Sequence, residues 1–77
     1  MNAERRSELE NIKDQISDLR SQLDDIVADE QEYYDSMPES LKGSDRGQDS
    51  EGAIADLENA ISDLSGVEDY LWNVFLT

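Results

Sequence analysis

Six apolar residues between Leu9 and Ile26 constrain this chain more than anything else in it. Leu9, Ile12, Ile16, Leu19, Leu23 and Ile26 recur at alternating gaps of three and four. This is a heptad seam, with Leu9, Ile16 and Leu23 at a and Ile12, Leu19 and Ile26 at d. A helix that carries such a seam must cover it with another helix. The chain supplies one: Ile54, Leu57, Ile61, Leu64, Leu71 and Phe75 repeat the rhythm, and the tetrapeptide Ile-Ser-Asp-Leu occurs at 16–19 and again at 61–64 in the same register. The expected fold is all-α: one antiparallel, coiled-coil-like hairpin over residues 1–77, with helix 1 at about 3–36, a linker at about 37–49 and helix 2 at about 50–76.

The boundaries follow from local chemistry. Asn2 is a suitable N-cap and Glu4 suits the positive end of the first turn. After Ile26 the seam loosens: Glu30 takes an a site, Tyr33 a d site with Tyr34 beside it, and Met37 the next a. Pro38 stops helix 1, because the residue before a proline disfavours the helical region. Residues 38–43 read as one short turn ended by Gly43. Ser44 to Gly52 reads as polar, glycine-containing loop, and Asp49 or Ser50 as the cap of helix 2. Asp45, Asp49 and Glu51 do not have the spacing of an EF-hand calcium loop. Ser65-Gly66 is a weak point where helix 2 could bend, although the heptad phase runs through it.

What flanks the seam predicts the assembly. Arg6, Lys13 and Arg20 fall seven apart at e, and Glu51 and Glu58 occupy e of helix 2. In an antiparallel pair e faces e, so these rows are expected to meet and fix orientation. Ala53, Ala60, Val67 and Val74 form a second apolar edge at g, and the tail from Tyr70 to Leu76 is apolar on nearly every side. One neighbouring helix covers one stripe, so these residues call for a further surface. Two hairpins pairing into a four-helix homodimer would provide it, as would a target docked on the tail. Val67, Tyr70, Leu71, Trp72, Val74 and Phe75 are the candidates for self-association or a second partner surface.

Composition narrows the chemistry. With no cysteine and no histidine, disulfides, the usual zinc sites, thiol and Ser-His nucleophiles and Glu-x-x-His metal pairs are all unavailable. No cofactor, metal site or catalytic residue is expected, and the chain reads as non-enzymatic. No apolar run has the length of a membrane span, so a soluble, cytoplasmic protein is expected. Twenty acidic residues against six basic ones give a net charge of −14. Such a surface repels nucleic acid and anionic membrane and attracts basic protein surfaces.

The acids are ordered along the helices. Asp14, Asp18, Asp25, Asp29 and Glu32 recur at helical spacing on helix 1, as do Asp49 or Glu51, Asp56 and Asp63 on helix 2. Carboxylates spaced along a rod can imitate a row of phosphates. Asp24, Asp25, Asp29, Glu30, Glu32 and Asp35 are therefore the candidate contacts to a basic partner. Tyr33 and Tyr34, bordered by acids, are candidate anchors, since phenols bury area at low entropic cost.

Small size, absence of cysteine, strong acidity and a helical hairpin together resemble the small proteins with which phages and mobile elements block host defences. The stretch from Asp29 to Leu41 is similar to a linker in small acidic bacterial and prophage proteins. The resemblance implies an inhibitor that occupies the basic, nucleic-acid-binding surface of a target protein, such as a restriction enzyme or CRISPR effector. The alternative is a structural coiled-coil dimeriser or scaffold piece in which acidity serves only solubility.

Overall fold

The computed structural model describes all 77 residues. It contains three helices, α1 (Ala3–Asp35), α2 (Glu39–Lys42) and α3 (Asp45–Phe75), and no strand. α1 and α3 lie antiparallel and form a rod of 58 × 15 × 12 Å.

α1 starts where its cap places it. The Asn2 side chain accepts a hydrogen bond from the backbone N–H of Arg5 at 2.8 Å, and Glu4 occupies the first turn. The helix then runs unbroken for 33 residues, about 50 Å at 1.5 Å per residue. It ends at Ser36, whose N–H reaches the Glu32 carbonyl, and Met37 N–H closes on Tyr34. Pro38 then forces extended backbone and serves as the N-cap of the one-turn α2.

The linker is shorter than the sequence suggests. α3 begins at Asp45, not near Ser50, so most of the expected loop is helix. Ser44 stands at the N-cap, with its hydroxyl turned back to the Leu41 carbonyl. Asp49 and Ser50 cap nothing. Ser50 is 3% exposed and donates to Glu30 Oε1 at 2.9 Å. The reason is packing. Gly47 passes directly beneath the end of α2, where a Cβ would strike the Lys42 carbonyl and come within 2.6 Å of the Leu41 carbonyl oxygen. Glycine in a helix costs about 1 kcal/mol relative to alanine, and here its missing side chain is what lets the chain fold back so tightly. Gly47, Ser50, Ile54 and Met37 are the buried residues of the molecule, and all four lie at the bend. Further along, α3 continues through Ser65-Gly66 without interruption.

The seam itself differs from the expected one. α3 does present its a and d rows to α1: Ile54 is buried, and Leu57, Ile61, Leu64, Leu71 and Phe75 are half-buried. α1 presents a and e. Leu9, Ile16 and Leu23 are half-covered together with Arg6, Lys13, Arg20, Val27 and Tyr34. The d residues Ile12, Leu19, Ile26 and Tyr33 are left 47–53% exposed. The e row can do this because its cations reach partners and cover apolar surface with their stems. Arg20 forms a forked pair with Glu68 at 2.9 and 3.3 Å. Lys13 Nζ sits 4.2 Å from the Trp72 ring centre and 5.4 Å from that of Phe75. The Arg6 Nε is covered but has no partner.

The expected meeting of Arg6, Lys13 and Arg20 with Glu51 and Glu58 does not occur. The register sets Arg20 level with the Glu68 region, so Glu51 lies instead beside Tyr34, whose hydroxyl donates to it.

Candidate interaction surface

The acidic set named from sequence divides once it is placed on the rod. Asp24, Asp25, Asp29, Glu32 and Asp35 are all exposed. At 100° per residue, Asp25, Asp29 and Glu32 point away from α3, while Asp24 and Asp35 lie toward the flank that carries the Tyr34–Glu51 contact. Asp35 also accepts from Gln31 at 3.0 Å. Glu30 does not join the patch. It faces α3, where it receives the Ser50 hydroxyl.

The two tyrosines separate as well. Tyr33 is 47% exposed. Tyr34 is half-buried at the bend, held by Glu51 and with Lys42 Nζ 5.4 Å from its ring centre. Its phenol is pushed above the ordinary value near 10, first by the hydrogen bond to Glu51 and then by desolvation and the carboxylates of Glu51, Glu39 and Asp35. Tyr34 is therefore a structural pin of the bend, and Tyr33 is the phenol available to a partner.

Running through this patch and along the other helix, the carboxylates form two rows. Asp18, Asp25 and Glu32 on α1, and Asp49, Asp56 and Asp63 on α3, each repeat every seven residues and are exposed. Seven helical residues span about 10.5 Å. The basic residues are arranged in the opposite way. Of the six, Arg6, Lys13, Arg20 and Lys42 are half-covered in the seam or the bend, leaving Arg5 and Arg46 exposed, whereas eighteen of the twenty carboxylates are exposed. The outer surface is thus more acidic than the composition. Folding brings this about, because the cations are used inside the hairpin.

The apolar residues assigned from sequence to one further surface occupy three places. Leu71 and Phe75 are half-buried against α1. Trp72 stacks on Phe75, with ring centres 5.5 Å apart, and stays 47% exposed under Lys13. Tyr70 is 75% exposed and points outward. Val67 and Val74, each 43% exposed, continue the g row begun by Ala53 and Ala60.

Sequence reasoning missed the companion of that g row. The Tyr34–Glu51 and Lys13–Trp72 contacts put the e rows of both helices on one flank. The d row of α1 and the g row of α3 consequently share the other flank. Ile12, Leu19, Ile26 and Tyr33 run beside Ala53, Ala60, Val67 and Val74 as a ribbon along the rod. The clue in the sequence is that Val27 and Tyr34 also fall at e, which makes that row as able to pack as d.

The structure contains no enclosed pocket and no cluster of three or more potential metal-ligating side chains. No helix is long and apolar enough to cross a membrane. Comparison with protein-family models, with curated proteins and with solved structures gives no match.

Proposed function

We propose that this protein is a non-enzymatic, acidic interaction protein that occupies a basic surface of a target protein, as an inhibitor acting in place of nucleic acid. The observation that carries this reading is the segregation of charge: eighteen exposed carboxylates against two exposed cations on a rod 58 Å long. Clefts that bind nucleic acid are lined with Lys and Arg and select for regularly spaced negative charge. The carboxylate rows on α1 and α3 offer such spacing on a rigid support. The setting of such an inhibitor is the cytoplasm, where basic nucleic-acid-binding enzymes of host defence work.

The test is competition. Duplex DNA bound to restriction enzymes and to guide-loaded CRISPR effectors is challenged with the protein at low and high salt. Displacement that fades as salt rises is expected. It should also be lost when Asp24, Asp25, Asp29, Glu32 and Asp35 are reversed to Lys. Displacement that ignores both salt and charge reversal overturns the reading.

The exposed ribbon favours a second element of function, pairing of two hairpins into a four-helix homodimer. If pairing were the whole function, charge reversal would leave that function intact while ribbon substitutions abolished it.

A further inference from the structure

The hairpin by itself is short of cover. No side chain is fully buried, and the surface is 5533 Å². A compact monomer of 8.7 kDa has about 4,700 Å². The excess is roughly 800 Å² and comes with the elongated shape of the rod, so the hairpin has surface to give to an interface of ordinary size, about 800 Å² per partner.

The ribbon is where that cover belongs. Neither row that builds it contains a carboxylate, although twenty of the 77 residues are acidic. Arg5 extends the α1 row at one end of the rod and Arg46 extends the α3 row at the other, and these are the two exposed cations. With Asp29 on the α1 rim and Asp49, Asp56 and Asp63 on the α3 rim, the rows between them are the part of the long faces where two molecules of net charge −14 meet least repulsion.

Its relief is self-complementary. The Arg20–Glu68 pair and the seat of Lys13 over Trp72 and Phe75 set the levels along the rod. Ile12 lies level with Val74, Leu19 with Val67, Ile26 with Ala60 and Tyr33 with Ala53. The α1 row is large throughout, and the α3 row shrinks from valine to alanine as Tyr33 is approached. Laying α1 of one copy over α3 of another, bend beside bend, therefore sets every large residue on a smaller one, with the largest, Tyr33, on an alanine. Opposing the bends instead stacks Tyr33 on Ile12 and leaves the alanines facing valines of the same row, a poorer fit for close packing.

We propose that the ribbon is covered by the ribbon of a second copy of this chain, related by a two-fold axis along the rod, so that Tyr33 of each copy packs on Ala53 of the other. The result is a four-helix bundle in which every neighbouring helix is antiparallel and the interface between the two copies is isologous. This rests on the pairing proposed above and identifies its face and sense. Trp72 and Tyr70 stay outside this interface, as do the outward carboxylates Asp25 and Glu32.

The experiment uses the full chain. Sedimentation of the wild-type protein over a wide concentration range should show a dimer whose dissociation constant falls as salt rises, because screening relieves the repulsion between two acidic copies. That salt response is opposite in sign to the one expected for a basic target, so failure of either proposal is separable from failure of the other. Leu19→Glu should weaken the dimer at least about a hundred-fold by burying an unpaired charge, with helicity kept because position 19 is exposed in the hairpin. Ala60→Glu is the second variant, acting from the other row. The chain has no cysteine, so a mixture of Tyr33→Cys and Ala53→Cys proteins should form a heterologous disulfide dimer under mild oxidation. A wild-type monomer throughout, or a dimer indifferent to both glutamates, overturns the proposal. Efficient cross-linking of Tyr33→Cys with Ile12→Cys in place of Ala53→Cys overturns its arrangement.

Discussion

The two ends of the hairpin are built by different means. At the bend, Met37, Gly47, Ser50 and Ile54 are buried, backbone crosses backbone without a side chain between, and polar contacts tie Glu30, Tyr34 and Lys42 to their neighbours. At the open end, Trp72, Val74 and Leu76 are 43–62% exposed, and the helices are held by half-covered apolar residues and one lysine over two rings. The bend holds the buried residues of the chain, whereas the body and open end leave the larger share of apolar surface uncovered. Stability of the single hairpin therefore concentrates at the bend, and the surface available to other molecules lies along the rest of the rod.

The hardest blow to the bend is Gly47→Ala. Its Cβ would meet the Lys42 carbonyl, which requires α2 and α3 to part. The expected loss is about 3 kcal/mol, in the range of severe steric substitutions, read by urea unfolding. Gly52→Ala is the control. It lies in the same helix, has nothing within 4 Å of the added Cβ and a negative φ. Relief of helix propensity alone should stabilise by about 0.5–1 kcal/mol. If the two changes shift stability in the same direction, the distinction between a buried bend and an ordinary helix is wrong.

A truncation series sharpens the contrast. Ile54→Ala at the bend should cost about 2–4 kcal/mol, as for a packed isoleucine. Ile26→Ala, at a residue 51% exposed, should cost well under about 1 kcal/mol in dilute solution. Its cost should grow with protein concentration if a second copy covers the ribbon. An Ile26 effect as large as that of Ile54 and independent of concentration would place Ile26 inside the hairpin core.

The heptads, the cap at Asn2 and the stop at Pro38 made the helices and their antiparallel pairing legible, because each is a local signal with a single structural outcome. Two features were not legible, for physical reasons. The choice of e over d as the second contact row of α1 amounts to a rotation of about 50°. Both rows offer packing residues, and the choice is made by long-range partners of Arg20, Lys13 and Tyr34 that no local pattern reveals. The helical state of residues 45–52 runs against propensity, with Gly47 and Gly52 in eight positions. It is fixed by the burial of Gly47 and Ser50 against α2 and α1, a tertiary effect that overrides the local one. Of the candidate site, exposure of the carboxylates was legible from charge alone. The withdrawal of Glu30 and Tyr34 into the seam was not, because it depends on Ser50 and Glu51 arriving opposite them.

The Arg20–Glu68 pair tests the region between the two ends. Its side chains are 34% and 20% exposed, so solvent screens it in part. A double-mutant cycle with Arg20→Met and Glu68→Gln should return a coupling of about 0.5–1 kcal/mol, smaller than either effect at the bend. A coupling as large as the Ile54→Ala loss would shift the centre of stability away from the bend.

The smallest expected effect is also the most specific to one contact. The Tyr34 phenol is raised chiefly by donating to Glu51. Above pH 10 an unfolded chain ionises this tyrosine while the folded hairpin still holds its proton, so the unfolded state binds fewer protons and stability falls as pH rises. The contribution is fully present below the unfolded value near 10 and is lost as pH rises through the folded one. Titration of tyrosinate absorbance should show a late-ionising phenol, and Tyr34→Phe should remove that late step. Tyr34→Phe should also flatten the alkaline fall in stability attributable to this group. If instead the folded protein shows no late step that Tyr34→Phe removes, the Tyr34–Glu51 contact does not hold the bend, and the bend rests on the apolar packing of Met37 and Ile54 and the close approach at Gly47 alone.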